Sequence, residues 1–381
     1  MSRLSPGWIG AFLFLGSAAA SPEEPKPEYR AVWCHPEALF PADAAEGKAA
    51  VRRFVDRMAD ARFNLILPWI RSEYVAALTE ERYRAAVPVA AWDPLGELIA
   101  AARDRGIAVQ AWYSFTHYKS PESPEFDPKL GGDPAWAARR IDEKVPDPAT
   151  GRIAPRRMAD LCVLHPGARE WELKLIDGLL DRHPLLAGIH IEEPGYGYGG
   201  NCVCEACLAL FKAVHGREPA PEEVDGPQAE DLKCVGTTDF HRRLRERMLK
   251  RDPKLILSVN GGPRWKTDRN LGRDWRRWAE EGWVDDFEGQ VYTSSPEGFR
   301  KLARTLIGDL GTSCPVVLGI GVKWSSGANT AETVLKEIGI ARECGARGVA
   351  LFSGTDLTDE LLAALKAGPF QEPAPLPRPE R

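Results

Sequence analysis

The chain has 381 residues, of which 44% are hydrophobic and 28% are charged, and its formal net charge is −5. This length suits one large domain or two ordinary ones, and the composition excludes a wholly disordered chain, a collagen-like chain and a protein with several membrane spans. A mildly acidic chain without a basic block argues against nucleic acid as the main partner.

The first 20 residues have the pattern of a secretory signal peptide. Arg3 precedes an apolar run that starts at Trp8 and ends in small residues up to Ala20, which fits an A-x-A cleavage site. The run has about 13 residues, whereas a membrane-spanning helix needs about 20, so an uncleaved anchor is the weaker alternative. We expect cleavage near Ala20, a linker over residues 21–28, and a secreted or periplasmic protein without membrane attachment.

After the signal peptide, short apolar runs alternate with amphipathic helical stretches. The predicted strands are Tyr29–Pro36, Phe63–Arg71, Ala108–Phe115, Leu186–Glu193, Leu255–Gly261, Asp286–Thr293, Pro315–Val322 and Gly348–Ser353. Predicted helices lie between them over Ala49–Ala61, Pro94–Arg105, Trp171–His183, Asp239–Arg251, Leu271–Glu281, Thr330–Cys344 and Asp359–Ala367. Eight such strands predict an α/β fold, a single (β/α)8 TIM barrel over residues 29–370. An open doubly wound sheet is the alternative, although no Gly-x-Gly-x-x-Gly follows the first strand.

Two long insertions interrupt this alternation. They run from Thr116 to Pro166, after the third predicted strand, and from Pro194 to Thr238, after the fourth. Because the loops that follow the strands of a TIM barrel build its site, we expect both insertions to shape a cleft. Residues 371–381 are rich in proline and predict a disordered tail.

Six segments carry a resemblance to a known family. They are Arg30-Ala31-Val32-Trp33; Phe63 to Arg71; Asp93-Pro94-Leu95 with Arg105-Gly106 and Ala111-Trp112; Leu164-His165-Pro166-Gly167 with Arg169; Gly188 to Glu193; and Val284-Asp285 with Gln290-Val291-Tyr292. In this order they resemble the glycosyl hydrolase-like family 10, a set of exported TIM-barrel proteins. The resemblance spans nearly the whole mature chain and implies a glycosidase-like barrel.

The chain departs from the family pattern at three places. Glu192 and Glu193 stand where the family usually has two aspartates, and His165 stands where it usually has asparagine. A cysteine-rich insertion is not a general feature of the family. These departures concern the substrate more than the fold.

Two acids at the end of the fourth predicted strand are the main catalytic candidates. Glycoside cleavage needs a proton donor and a second carboxylate, and barrel enzymes place such groups at the carboxyl ends of strands. Strand alternation puts Glu192 on the face opposite to Ile189 and Ile191, and therefore inside the barrel. Glu193, which precedes Pro194, resembles the acid of barrel glycosidases that carry Asn-Glu-Pro. We predict Glu193 as the general acid and Glu192 as its electrostatic partner. In one alternative, Glu192 is the general acid. In the other, one of the two acids is not catalytic and forms a salt bridge with an arginine.

The second carboxylate has three candidates. Glycosidases of the commonest barrel clan carry a nucleophile after the seventh strand, but here Lys323 and Trp324 follow that strand. The candidates are therefore Asp356, Glu288 and Glu73. An inverting or substrate-assisted mechanism would not need a nucleophile.

Polar and aromatic residues near the predicted strand ends are candidates for binding sugar, because aromatic faces stack on pyranose rings and polar groups bind hydroxyls. Core packing is the alternative for each. The candidates are His35, Trp69, Arg71, Trp112, Tyr113, His117, Asn260, Gln290, Tyr292, Lys323 and Trp324.

A cluster of cysteines follows the two acids. Cys202, Cys204 and Cys207 lie within six residues, so that three thiolates can face one ion, and a tetrahedral zinc site needs one more ligand. The cluster is similar to that of some zinc-containing barrel β-galactosidases, which implies Cys162 as the fourth ligand, with Cys234 as the alternative. We predict a structural Zn²⁺, with disulfides as the alternative because exported proteins are oxidised, and no organic cofactor.

These interpretations together predict an exported glycoside hydrolase that cleaves O-glycosidic bonds in a poly- or oligosaccharide by carboxylate acid/base catalysis. Related proteins point to bacterial cell-wall glycans as the substrate. The alternative is a carbohydrate-binding TIM barrel without turnover. Two carboxylates about 5–10 Å apart in a groove would favour the enzyme.

Overall fold

The computed structural model describes residues 25–79, 91–114, 136–146, 153–195, 202–220, 223 and 227–377. The strands within them, β1 to β12, are Tyr29–Cys34, Leu65–Arg71, Ala108–Ser114, Ala137–Pro146, Ile153–Leu161, Gly188–Glu192, Ile256–Gly261, Asp286–Gln290, Val316–Gly321, Lys323–Trp324, Gly327–Ala328 and Gly348–Phe352. The helices, numbered here α1 to α12, are Pro36–Leu39, Ala44–Asp60, Ser72–Thr79, Pro94–Asp104, Pro166–Arg182, Glu205–His215, Pro227–Arg251, Trp265–Arg269, Trp275–Glu280, Pro296–Leu310, Ala331–Glu343 and Asp359–Ala367.

Eight of the strands close into a barrel. Around the ring, β1, β2, β3, β6, β7, β8, β9 and β12 pair in parallel with their neighbours, and β12 pairs back with β1. All eight predicted strands are present. Strands β2 and β7 end at their predicted ends, and the other six end one to three residues earlier. The predicted (β/α)8 barrel is therefore confirmed, and the open doubly wound sheet is wrong.

The strands alternate between two hydrophobic environments, as a pleated strand requires. Residues that face outward pack against the helices in the main core, for example Val32, Ile66 and Ile189. Residues that face inward from β1, β2, β9 and β12 form a second apolar cluster inside the barrel, which includes Trp33 and Leu67.

The other half of the barrel interior is polar. Inward-facing side chains of β3, β6, β7 and β8 are buried there, namely Gln110, His190, Ser258, Asn260, Asp286 and Glu288. Strand β6 of this half leads into the second insertion, and β7 pairs with β6. The polar half therefore leads directly to the carboxyl-terminal mouth where a TIM barrel carries its site.

Local signals explain where several helices begin. The Asp43 carboxylate accepts the backbone N–H groups of Ala45 and Glu46 at the start of α2. Asp93 accepts the N–H of Gly96 at the start of α4, which has proline in its first turn. Such caps satisfy N–H groups that have no partner within the helix.

The two insertions contain regular structure within the described residues. The first holds an antiparallel hairpin made by β4 and β5. The second holds α6 and the first part of α7, a helix predicted to begin only at Asp239. This helix has 25 residues, and no proline after Pro227 interrupts it. At Gly236 the helix passes close to the carbonyl of Val163, with which a Cβ would collide.

Residues 371–377 differ from the predicted disordered tail. Arg30 donates a hydrogen bond to the carbonyl of Glu372, Asn64 donates to that of Ala374, and the N–H of Glu28 donates to that of Pro375. Leu376 packs against the apolar cluster inside the barrel. These contacts hold the segment across the amino-terminal end of the barrel. Residues 1–24, which include the predicted signal peptide, and residues 378–381 lie outside the described residues.

No helix in the described part of the chain is long and apolar enough to cross a bilayer.

Candidate active site

Glu192 is the last residue of β6 and points into the mouth of the barrel. Its Oε2 accepts a hydrogen bond from Trp112 Nε1 on β3 and another from Asn260 Nδ2 on β7, the latter at 2.6 Å. Burial, and next the nearby charge of Glu193, raise the pKa of Glu192 to about 7, whereas the two donors and Arg273 act in the opposite direction. A carboxyl with such a pKa is about half protonated at neutral pH and mostly protonated below it, as a general acid must be.

Glu193 follows the strand and has a different environment. Its Oε2 lies 3.1 Å from Nη2 of Arg273, and its side chain is 17% exposed. Its backbone adopts a φ of 27°, in the region that residues with a side chain rarely occupy. Glu193 is therefore the acid that pairs with an arginine, which was the non-catalytic alternative considered from the sequence.

Arg273 was not identified from the sequence. Its side chain is 4% exposed, and Nη1 lies 3.7 Å from Oδ1 of Asp268. Trp275 Nε1 and the N–H of Gly262 both donate to Oδ2 of Asp268. The loop between α8 and α9 carries no motif that would have indicated a partner for Glu193.

Asn260 connects the two acids. Its Oδ1 accepts the backbone N–H of Glu193 at 2.7 Å, while its Nδ2 donates to Glu192. The side chain is 1% exposed. Asn260 was predicted to bind sugar, but the acids themselves use both ends of its amide and little of the side chain reaches the cleft.

An aromatic wall faces the acids. The His35 ring lies 5.2 Å from the rings of Trp69 and Trp112 and 6.0 Å from that of Phe352. Tyr292 stacks on Phe352 with ring centroids 5.3 Å apart. Phe352 was missed, although its place at the end of the eighth barrel strand was a usable signal.

The remaining predicted residues at the mouth are less closely packed. Trp324 lies 6.3 Å from Tyr292, and Lys323 beside it is exposed. The Arg71 guanidinium lies 5.6 Å above the Trp69 ring. Gln290 ends β8 and is half-buried.

Asp356 lies after β12, on the opposite side of the mouth from Glu192. Around the ring, β6 and β12 are separated by four steps in either direction. The Ser353 hydroxyl donates to Asp356 Oδ2 at 3.0 Å, and the Thr355 hydroxyl lies 3.3 Å from the same oxygen. Asp356 is half-buried, and its charge acts on His35, where it opposes the burial that lowers the pKa of that ring.

Two predicted site residues are buried away from the cleft. Tyr113 is fully buried on the outer face of β3, where its hydroxyl donates to Glu172. Glu288 is 0% exposed inside the barrel, and neither of its oxygens has a hydrogen-bond partner among the described residues. Burial, and next the charge of Asp286, raise the pKa of Glu288 well above its usual value, so that it cannot act as a nucleophile on bound sugar.

Two further candidates cannot be placed in the mouth. His117 lies outside the described residues. Glu73 belongs to α3, whose described part does not include the Glu73 side chain.

A chain of hydrogen bonds forms the floor beneath the acids. Trp33 Nε1 donates to Nε2 of His190, so Nδ1 carries the ring hydrogen and donates to Ser258 Oγ at 2.8 Å. Ser258 in turn donates to Gln110. Burial lowers the pKa of His190 to about 3, so the ring is neutral and has an orienting role.

Four cysteines from two segments of the chain converge. The Sγ atoms of Cys162, Cys202, Cys204 and Cys207 all lie within 4.8 Å of one another. Two of these separations are 3.5 Å, from Cys162 to Cys207, and 3.7 Å, from Cys204 to Cys207. Tetrahedral zinc with bonds of about 2.3 Å separates its sulfur ligands by about 3.8 Å, so this donor set fits a structural zinc ion.

The surroundings of the cluster support thiolate ligands. Cys202 Sγ accepts the N–H groups of Arg139 and Cys204 at 3.3 and 3.4 Å. Cys234 lies apart and contacts the carbonyl of Arg269. All eight cysteines are free in the described structure. The four converging cysteines are those of the leading prediction, and Cys234, its alternative fourth ligand, is not among them.

Comparisons with known proteins agree with this architecture. The family model described as Glycosyl hydrolase-like 10 matches residues 28–309. Among solved structures, the PgaB (BpsB) glycoside hydrolase domain from Bordetella bronchiseptica is similar, with a TM-score of 0.64 and 14% identity over 88% of this chain and 96% of that one. The catalytic domain of β-amylase from Paenibacillus polymyxa has a TM-score of 0.59 and 10% identity over 92% of this chain and 100% of that one.

A third similar structure is α-L-fucosidase isoenzyme 2 from Paenibacillus thiaminolyticus. Its TM-score is 0.59 and its identity 18%, over 89% of this chain and 48% of that one. None of the curated proteins matches the chain. At these identities the likeness concerns the fold alone.

Proposed function

The chain belongs to the glycosyl hydrolase-like 10 family, and we propose that it is an exported glycoside hydrolase that cleaves O-glycosidic bonds in a poly- or oligosaccharide. The observation that carries the proposal is the environment of Glu192. Its carboxyl lies at the mouth of a TIM barrel, faces an aromatic wall, and has a pKa raised to about 7. A protonated carboxyl in a cleft lined by aromatic rings suits protonation of a glycosidic oxygen.

Glu192, rather than Glu193, is the general acid in this proposal. Glu193 forms an ion pair with Arg273 and is the negative charge next to Glu192. That charge adds to the effect of burial on the pKa of Glu192. The roles predicted from the Glu-Pro resemblance are thus exchanged, in agreement with the strand-alternation argument.

Asp356 is the proposed second carboxylate. It follows the strand opposite β6, is partly exposed, and is oriented by the hydroxyls of Ser353 and Thr355. Glu288 is not used because it is 0% exposed inside the barrel, where its Oε1 lies 3.7 Å from Nδ1 of His190. In the reaction, Glu192 protonates the leaving oxygen while Asp356 acts on the opposite side of the sugar, as nucleophile or as base toward water.

The rest of the site binds and orients the sugar. The faces of Trp69, Tyr292 and Trp324 offer stacking surfaces, and Lys323 and Gln290 offer polar contacts to hydroxyl groups. Export is proposed for two reasons. The family that the sequence resembles consists of exported proteins, and residues 1–20 have the pattern of a signal peptide that is cleaved near Ala20.

Turnover of glycans tests this function. The mature protein, Glu192→Gln and the exposed control Glu332→Gln are incubated with bacterial cell-wall and plant glycans, and released reducing ends are measured. We expect release by the wild type and the control, and a loss of about 10²–10⁴-fold in Glu192→Gln. Binding of a glycan without any release by the wild type would instead identify a non-catalytic carbohydrate-binding barrel.

We also propose that the four-cysteine cluster holds a structural Zn²⁺. Four thiolates complete a tetrahedral site and leave no position for water, so the ion would fix the chain and not take part in the reaction. It would link Cys162, directly after β5, to Cys202 and Cys204 before α6 and to Cys207 in the first turn of α6.

Metal analysis tests this site directly. We expect one zinc per purified chain, less than a tenth of that in Cys162→Ser, and full zinc in Cys234→Ser, whose cysteine lies outside the cluster. The melting temperature of Cys162→Ser should fall, because metal binding contributes to folding. Two disulfides and no zinc in the wild type would contradict the site.

A further inference from the structure

Both donors that reach the Glu192 carboxyl contact the same oxygen. Trp112 Nε1 and Asn260 Nδ2 donate to Oε2, and no hydrogen bond from the described residues reaches Oε1. We propose that Asn260 is a positioning residue whose amide makes Oε1 of Glu192 the oxygen that carries the transferable proton. This inference rests on the proposed role of Glu192 and deepens it.

The amide of Asn260 can be oriented in only one way. Its Oδ1 accepts the backbone N–H of Glu193 at 2.7 Å, and a rotated amide would place two N–H donors against each other. Nδ2 of Asn260 is therefore held toward Glu192, at 2.6 Å from Oε2.

Two N–H donors determine where the proton of Glu192 lies. An indole N–H and an amide N–H can only donate, so Oε2 must accept from both and cannot carry a hydrogen directed at either. The proton of the neutral acid therefore lies on Oε1. In the reaction the Oε1–H bond breaks, the proton bonds to the glycosidic oxygen, and that oxygen takes the electron pair of the cleaved C–O bond.

The same two donors stabilise the carboxylate that remains. Hydrogen bonds to a charged oxygen are stronger than those to a neutral one, so they favour the product state of the proton transfer. The other charged or titratable groups near Glu192 are Glu193, which raises its pKa, Arg273, which lowers it, and Tyr292. Asn260 lies between the two acids and thus controls both the position of the proton and the ease of its release.

Titration of the Glu192 carboxyl tests the inference without requiring turnover. The mature protein is labelled with ¹³C at the glutamate side-chain carboxyls, and the Glu192 resonance is identified by its loss in Glu192→Gln. In the wild type we expect a midpoint near pH 7. Asn260→Ala removes a donor that favours the charged form, so its midpoint should move to higher pH, by about one unit.

Three further variants make the result specific. Asn260→Asp keeps an acceptor for the Glu193 N–H, loses the donor and adds a negative charge, so it should raise the midpoint further than Asn260→Ala does. It keeps the test open if Asn260→Ala does not fold, because an unchanged or lowered midpoint would still overturn the inference. Trp112→Phe removes the other donor and should act in the same direction. Asn64→Asp changes another buried asparagine, at the amino-terminal end of the barrel, and should leave the midpoint unchanged.

The possible results separate this inference from the proposed function. A higher midpoint in the Asn260 and Trp112 variants, with no change in Asn64→Asp, supports the inference even if no substrate has been found. An unchanged or lowered midpoint in folded Asn260→Ala or Asn260→Asp overturns it. Normal glycan turnover by Glu192→Gln would contradict the proposed function instead, since it would remove Glu192 from the reaction.

Discussion

Glu192 and Glu193 are adjacent in the chain, yet their surroundings differ in ways that sequence reveals only in part. Strand alternation correctly predicts that Glu192 points into the barrel. It does not reveal Arg273, which comes from a loop 80 residues later and pairs with Glu193. Nor does it reveal that Asn260 is used by the acids themselves, because its burial depends on how β6 and β7 pair. Roles that depend on partners from other strands need the folded structure.

The raised pKa of Glu192 predicts the pH dependence of catalysis. A general acid must be protonated, so kcat/KM should fall as the pH rises through about 7. An ordinary glutamate has a pKa near 4.3 and would place this decline about three pH units lower. The measurement is the pH profile of kcat/KM, with Glu332→Gln as the control that keeps the wild-type profile. A constant kcat/KM from about pH 6 to pH 9 would contradict the assignment of the acid.

At the scale of the elements, the apolar runs predicted all eight barrel strands, because each of these strands has buried residues on both faces. The hairpin of β4 and β5 was missed because its sequence, with the stretches Arg139-Arg140 and Asp142-Glu143-Lys144, lacks the apolar run that identifies a barrel strand. The ordered segment 371–377 was missed because its proline-rich sequence is typical of disorder. Its hydrogen bonds go to Arg30 and Asn64, whose positions only the closed barrel determines.

Close contact between β6 and β7 makes a prediction about stability. A Cβ on Gly188 would collide with the backbone carbonyl of Ile256 on the neighbouring strand. Gly188→Ala should therefore lower the free energy of unfolding by about 1–3 kcal/mol, the usual cost of forcing extra volume into a packed site. Denaturant unfolding followed by circular dichroism measures this change.

Gly308, within α10, is the matched control. An added methyl there has no atom within 4 Å, and alanine favours helix, so Gly308→Ala should raise the free energy of unfolding by about 0.4–1 kcal/mol. Equal effects of the two substitutions would show that the contact between β6 and β7 is not as tight as described.

At the scale of the whole molecule, the barrel has one apolar and one polar interior half, and the polar half contains carboxyls that are buried in neutral form. Burial is the main cause that raises the pKa of Asp286 to about 8 and that of Glu288 well above its usual value. On α11, which packs outside the barrel, burial also raises the pKa of Glu337 to about 8. Composition and spacing could not predict this division, because it depends on which strands become neighbours in the closed ring.

These carboxyls predict how stability depends on pH. Above about pH 5 the unfolded chain has lost their protons while the folded protein still holds them, so the folded state binds more protons and its stability falls as the pH rises. Neutral His190 and His241, whose pKa values burial lowers to about 3 and about 4, oppose this trend only below about pH 6.5. Stability should therefore fall between about pH 6.5 and pH 8.

Glu288→Gln isolates one of these groups. It removes a slope of about 1.4 kcal/mol per pH unit, so its free energy of unfolding should fall less than that of the wild type over this range. Glu297→Gln, an exposed change on α10, should keep the wild-type slope. Denaturant unfolding at a series of pH values measures the slopes, and a wild-type slope in Glu288→Gln would mean that Glu288 is ionised in the folded protein.

The central claim, that Glu192 donates the proton to the leaving oxygen, is tested most directly by comparing leaving groups. The measurement is kcat/KM of Glu192→Gln relative to the wild type, on an oligosaccharide that the wild type cleaves and on the activated aryl glycoside of the same sugar. A leaving group that needs protonation should lose about 10²–10⁴-fold in the variant, while an activated aryl group, which leaves as a stable anion, should lose far less. An equal loss on both substrates, or no loss on either, would contradict the assignment of Glu192 as the proton donor.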